Sequence, residues 1–349
     1  MLWSNDNRDK RINPCTTKSV VKSAWILALT ICLFLTSLNT VQSEEPKAGT
    51  VSILFENDIF YNADRHYTNG VSISWVSSPR STPEWLSNAA HHIPWFPKEG
   101  DMRAIYSFGQ NMYTPQDITL RNPPPDSRSY VGWLYGTIGI SSETGKQLDQ
   151  VAITLGIVGP SSLAEQTQKT VHRITGSNKP RGWDTQLNDE PGIILFYQRS
   201  WRGFVAHTIS RFQLDITPQV GATLGNIFTY GNTGLMMRVG KNLPLDYGPP
   251  RIQPGIIGSS FFVPQGSFGW YLFAGAEGRI VARNIFLDGN TFRSSRSVTR
   301  EVFVGDLQCG IVLTWPAFRI SYTHVLRTRE FRHQHDKDRF GAVSVSIPF

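Results

Sequence analysis

Cysteine is scarce in this chain, with three in 349 residues. Cys15 and Cys32 lie in a leader-like N-terminal segment, which leaves Cys309 alone and excludes an internal disulfide framework. Paired cysteines and an H-E-x-x-H pattern are both missing, so nothing points to a zinc hydrolase. No G-x-S-x-G elbow occurs, which removes the α/β-hydrolase nucleophile. After residue 44 no apolar run is long enough to cross a membrane as a helix. The excess of positive charge is also small. The formal net charge is +7, and residues 1–43 hold five basic and two acidic residues, so it falls to +4 without them. That is too weak for a nucleic-acid binder.

The one long apolar run, Trp25–Leu35, follows Arg8, Lys10, Arg11, Lys18 and Lys22 and leads to Val41, Gln42 and Ser43. This order of basic, apolar and small residues predicts an export signal at 1–43, cleaved near Ser43. Residues 44–349 form the second unit.

In that second unit, short alternating segments recur between Gly, Pro, Asn and Asp. The first six are Val51–Phe60, Val71–Val76, Ala104–Tyr113, Tyr130–Ile140, Gln150–Val158 and Ile193–Arg202. The other six are Thr208–Val220, Tyr230–Val239, Phe268–Val281, Arg300–Thr314, Phe318–Arg329 and Phe340–Phe349. An even count of strands about 10 residues long suits a tilted crossing of the hydrocarbon layer. The predicted fold is all-β: a twelve-stranded antiparallel transmembrane β-barrel of the outer membrane. Closure would remove edges that lipid cannot hydrogen-bond. A soluble β-sandwich is the rival architecture.

In Arg300–Thr314 the residues Val302, Val304, Leu307, Cys309, Ile311 and Leu313 largely share a face, with a slip at Gly305 that suggests a bulge. Trp133, Tyr135, Trp201, Phe204, Trp270, Tyr271 and Trp315 sit near strand ends, as interfacial girdles do. A periplasmic N-terminus puts tight turns at 142–146, 203–206 and 315–316 inside. The loops at 61–66, 114–129, 159–191, 284–299 and 332–338 then face outward. Two inner connections, at 79–101 and 241–267, are longer than that rule expects.

Chemistry concentrates in two outer segments. Glu56-Asn57-Asp58 with Asp64-Arg65-His66-Tyr67-Thr68-Asn69-Gly70 brackets the first outer turn. Asn57 and Asp58 are adjacent, so only one of them can face the lumen. Both carry hard oxygen donors of the kind calcium takes, although a polar turn would look the same. The longest outer loop holds a short predicted helix over 163–175 that carries His172, one of eight histidines. His333-Gln334-His335-Asp336 reads as a solvated loop tip rather than a metal site.

These strings resemble the N-terminal signature of the lipid A 3′-O-deacylase family, the LpxR-type outer-membrane enzymes. Further matches follow in order. They are Gly109-Gln110-Asn111 with Tyr113-Thr114-Pro115, Gly156 with Val158-Gly159-Pro160, His172-Arg173-Ile174 with Gly176, and Gly182-Trp183 with Gln186-Leu187 and Glu190-Pro191. The segment 221–230 and the terminal Phe349 also fit, so the resemblance spans the whole second unit.

The resemblance implies a calcium-dependent barrel that hydrolyses the 3′-linked acyloxyacyl ester of lipid A at its extracellular mouth. It implies His172 as the general base, Asn57 and Asp58 as the metal or base-orienting pair, and Thr68 in the same pocket. Arg121 is implied as a basic position for a lipid A phosphate. Where some members carry an acid six residues after the histidine, this chain has Asn178, a neutral oxygen donor that could still ligate the metal. Asp184, Asp189 or Glu190 are the alternative carboxylates. The expected partner is lipopolysaccharide in the outer leaflet, met by a monomer. A phospholipase-type esterase and a non-enzymatic pore or adhesin are the competing functions.

Overall fold

The computed structural model describes residues 49–58, 66–252 and 259–349. The proposed signal segment lies outside them. Six strands run β1 (Thr50–Asn57), β2 (His66–Val76), β3 (Asp101–Thr114), β4 (Val131–Thr144), β5 (Gln147–Val158) and β6 (Glu190–Trp201). The remainder are β7 (Val205–Ile209), β8 (Phe212–Gly225), β9 (Phe228–Lys241), β10 (Gly269–Asn284), β11 (Phe303–Thr314), β12 (Arg319–Arg327) and β13 (Asp338–Pro348). Each strand pairs with its neighbours antiparallel, β1 pairs with β13, and β6 pairs with β8 across β7. Twelve strands therefore close into a barrel. β7 is a short exposed ribbon on the end of β8.

All twelve predicted segments coincide with wall strands, and two details are corrected. The segment Thr208–Val220 is not one strand. A turn with Ser210 in the left-handed region (φ 57°) separates β7 from β8. The slip at Gly305 is not a bulge, because β11 pairs without interruption from Phe303 to Thr314. Val304 faces the lumen, and Leu307, Cys309 and Ile311 face outward. The irregularity lies instead on β10, between Val281 and Arg283.

The wall is inverted relative to a soluble protein. Outward positions such as Ile73, Phe108, Leu155, Leu272, Ile280 and Leu307 are exposed apolar side chains. A continuous surface of this kind fits a lipid solvent and would aggregate in water. Near the end that holds both barrel termini, aromatic contacts form a girdle: Trp315 with Phe318 and Phe268, Phe212 with Trp270, and Trp75 with Phe349. Trp133, Tyr135 and Tyr271, expected in girdles, instead point inward, Trp133 and Tyr271 fully buried and Tyr135 packed against the lumen cluster.

The lumen is filled by charge and by chain. Asp306 accepts from both Arg279 and Arg327, and Arg327 leads on to Glu330 and Arg128. The long connection after β9 accounts for the breach of the short-turn rule, because its described residues lie inside the barrel. Its Asp246 pairs with Arg238 and Arg319, and its Arg251 donates to Glu56 at 2.5 Å. Opposite charges in a low-dielectric lumen pin this plug, and removing one partner would strand a buried ion. The other long connection carries helix α1 (Glu84–His91), whose Leu86 and Ala90 pack with Phe96 against outward-facing Ala104 and Ile140. It lies outside the barrel as a collar.

Candidate active site

Burial alternates along β1, with Ser52, Leu54 and Glu56 facing the lumen and Val51, Ile53 and Phe55 facing out. Asn57 continues the outward face and is nonetheless buried. It pairs with Asn69 on β2, Asn69 with Met112 on β3, and Met112 with Gly132 on β4. These four positions make one outward-facing row at the extracellular rim. Thr68 is the extra residue skipped in the pairing of Tyr67 and Asn69 with β3. That bulge turns Tyr67 into the lumen, onto Glu56, and keeps Asn69 on the outside.

A helix lies over the β4 and β3 end of this row. α2 (Ala164–Thr175) follows the turn at Pro160–Ser162. A Cβ on Gly132 would lie 2.0 Å from Ser162 Oγ and 2.4 Å from Ala164 Cβ, so the helix start occupies the space this glycine leaves. Gln110, also outward, donates to the Ser162 carbonyl at 2.6 Å. Asp189 fixes the turn by accepting from the Ser161 amide (2.8 Å) and hydroxyl (2.7 Å). Ala164, Gln168 and His172 are the buried residues of α2 and, four apart, form one stripe. Trp183, from the same loop, donates to Gln168 at 2.7 Å and packs on Tyr130 with ring centres 4.9 Å apart.

His172 is 8% exposed. Its Nδ1 lies 2.5 Å from the Asn178 carbonyl. A carbonyl only accepts, so Nδ1 carries the hydrogen of this contact and the ring is oriented by it. Gly176, in the left-handed region (φ 71°), ends α2 and turns the chain back so that Asn178 can make this contact.

His172 thus lies on the buried stripe of a helix whose start is seated at Gly132, three strands along the row from Asn57. Asp58, next in the chain, is buried at the same rim. Asn178 enters through its main chain while its residue is exposed. A metal role for it would need the side-chain amide to turn inward. The three alternative carboxylates have other partners. Asp184 faces Arg121 at 3.5 Å, Asp189 holds Ser161, and Glu190 accepts from Asn226, Asn290 and the Thr291 amide. Arg121 and Asp184 are both largely exposed, so their pairing is weak. Glu56, although part of the first signature, serves the plug rather than the site.

As a donor set for calcium, Asn57 and Asp58 have the required hard oxygens. Among the described residues no three His, Cys, Asp or Glu side chains converge. A cation here would draw on amide and main-chain oxygens beside the Asp58 carboxylate. Sequence reasoning did not single out Gly132 or Gln168. A glycine within a strand was the available signal for the first, but Gly136 and Gly139 in the same strand share it. At the last outer loop, exposed His333 and His335 flank buried Gln334, as a solvated tip would.

Comparisons bear on this geometry. LpxR from Salmonella typhimurium superposes with a TM-score of 0.70 at 21% identity, covering 86% of this chain and 100% of that one. The β domain of the Bordetella autotransporter BrkA gives a TM-score of 0.44 at 8% identity, over 87% of this chain and 100% of its own. No curated protein sequence matches. The sequence profile described as "Outer membrane protein LpxR" matches residues 27–349, and the chain belongs to that outer-membrane family.

Proposed function

We propose that this barrel is a lipid A deacylase, a calcium-dependent hydrolase that removes the 3′-linked acyl(oxyacyl) chain by means of a water activated at His172. One observation carries the reading: a buried histidine, held through Nδ1 by the Asn178 carbonyl, lies on the buried stripe of a helix whose start is seated at Gly132, on the same outward wall row as Asn57. This is the bilayer side of the rim, where an outer-leaflet ester would be found. The reach is suitable. Ala164 to His172 spans about 12 Å of helix, and β4 to β1 spans about 14 Å of sheet. A helix starting at Gly132 and contacting β4 and β3 can bring its histidine towards β2 and β1.

In this mechanism Nε2 of His172 takes a proton from water as the oxygen attacks the ester carbonyl. The Asn178 carbonyl holds the ring and steadies the imidazolium that forms. Proton return to the departing alkoxide releases the fatty acid and restores the base. Asn57 and Asp58 would hold the calcium, whose charge favours the developing oxyanion. Thr68 would line the same pocket, and Arg121, weakly paired, would meet a lipid A phosphate.

Purified protein with calcium should release the 3′ chain from lipid A, read by mass spectrometry, and chelation with EDTA should lower the rate at least about tenfold. Intact lipid A under these conditions, with phospholipid cleaved instead, would reassign the substrate. For Arg121→Ala, a raised KM with kcat retained is expected, since a phosphate contact remote from the ester adds uniform binding. A fall in kcat alone would remove Arg121 from the binding role.

A further inference from the structure

The stripe of α2 that meets the wall leaves two flanks uncovered, and they differ sharply. At about 100° per residue, Val171 and Ile174 fall on one side of the stripe, while Glu165, Lys169 and Arg173 fall on the other, and Leu163 immediately precedes the helix. Leu163 is 54% exposed, Val171 42% and Ile174 74%. On the opposite flank Lys169 pairs with Glu165, and Arg173 is exposed. A helix resting on a water-facing surface would keep its free flanks polar. This one keeps one flank charged, while the other exposes Val171 and Ile174 with Thr167 between them, whose hydroxyl is turned back onto the Leu163 carbonyl at 3.1 Å.

Leu163 sharpens the point. It precedes the first helical residue, where Ser, Thr, Asp or Asn would cap, and it makes no cap. Its backbone is in the left-handed region (φ 61°), where Gly or Asn would be less strained. Neither capping nor conformation accounts for an exposed leucine here.

The wall supplies the context. Gln110, which anchors the start of the helix, lies two residues from Phe108 on the same outward face of β3. Phe108 is 59% exposed and belongs to the lipid-facing belt. Two residues of strand span about 7 Å, so α2 sits at the upper margin of that belt and its apolar flank continues it. We propose that α2 is an interfacial helix: Leu163, Val171 and Ile174 enter the acyl-chain zone of the outer leaflet while Glu165, Lys169 and Arg173 face the headgroups. The cleft between helix and wall then opens sideways into the leaflet. Resting here on the deacylase reading, lipid A reaches His172 laterally, without leaving the membrane.

Insertion can be measured without any hydrolysis. In a Cys309→Ser background, Ile174→Cys and Arg173→Cys are labelled with an environment-sensitive fluorophore and placed in dioleoylphosphatidylcholine vesicles containing lipid A. The label at 174 should emit at shorter wavelength and be quenched by lipids with a doxyl group on the acyl chain. The label at 173 should remain in water. Equal solvent exposure of the two labels would overturn the proposal whether or not the protein is a deacylase. Ile174→Glu adds the functional arm. Deacylation of lipid A in vesicles should fall on the order of tenfold, with detergent-dispersed lipid A cleaved nearly as before. An equal loss in both media would show that the flank serves folding of the helix rather than contact with the leaflet.

Discussion

His172→Ala is expected to lose roughly a thousandfold in lipid A deacylation, inside the range for removing a general base. The barrel itself should be unchanged. His172 belongs to a helix outside the wall, and neither the lumen ion pairs nor the strand ladder involve it. Mass spectrometry of lipid A from a host expressing wild type or variant reads the first quantity, and heat-dependent migration on a gel reads the second. Deletion of the imidazole also leaves the Asn178 carbonyl without its donor, so part of the loss could come from a loosened turn. His172→Gln separates the two effects. Its side-chain amide can donate to that carbonyl but cannot take a proton from water, so it should be as inactive as the alanine variant. Recovery of activity in the glutamine variant would show that His172 only positions the loop, and would remove it as the base.

The wall was legible because lipid imposes a period of two on every strand and punctuates it with turns. All twelve segments were found on that basis. The errors fell where the period is locally ambiguous. In Thr208–Val220 the apolar residues shift from odd-numbered Ile209 to even-numbered Phe212, Leu214 and Ile216, and the left-handed Ser210 lies at that shift. At Gly305 a glycine interrupts the apolar count, and Val304, although apolar, packs in the lumen. Trp133 and Tyr271 were assigned to girdles by their position near strand ends, yet parity places both inside. Counting strictly from an exposed neighbour places Val304, Trp133 and Tyr271 inside.

The plug was invisible for a different reason. Asp246 and Arg251 acquire meaning only from Arg238, Arg319 and Glu56, and Arg251 and Glu56 are 195 positions apart. No local pattern marks them. The candidate site was legible through motif resemblance, which named His172, Asn57 and Asp58 without placing them. The row that joins Asn57 to Gly132 is a product of register, with a bulge at Thr68 setting its phase. Asn178 could be located but not read, because its contact runs through a carbonyl that every residue possesses.

Gly132→Leu should disable the enzyme almost as thoroughly as loss of the base, at a position that takes no part in chemistry. Even its first side-chain atom would fall 2.0 Å from Ser162 Oγ and 2.4 Å from Ala164 Cβ, so the start of α2 must lift from the wall. The Gln110 contact to the Ser162 carbonyl would break with it. Moving a catalytic group by about an ångström can cost about a hundredfold, and α2 would carry His172 away by at least that much. The barrel tolerates the change because an apolar side chain on the outward face only adds to the lipid-facing surface. Gly136, four residues along the same face, provides the control. A Cβ there meets nothing nearer than the Ser107 carbonyl at 3.9 Å, so Gly136→Ala should retain full activity. If Gly132→Leu folds and deacylates at the wild-type rate, the seat of α2 on this row is irrelevant to catalysis. His172 would then have to act from another position, and the shared cleft with Asn57 would lose its physical basis.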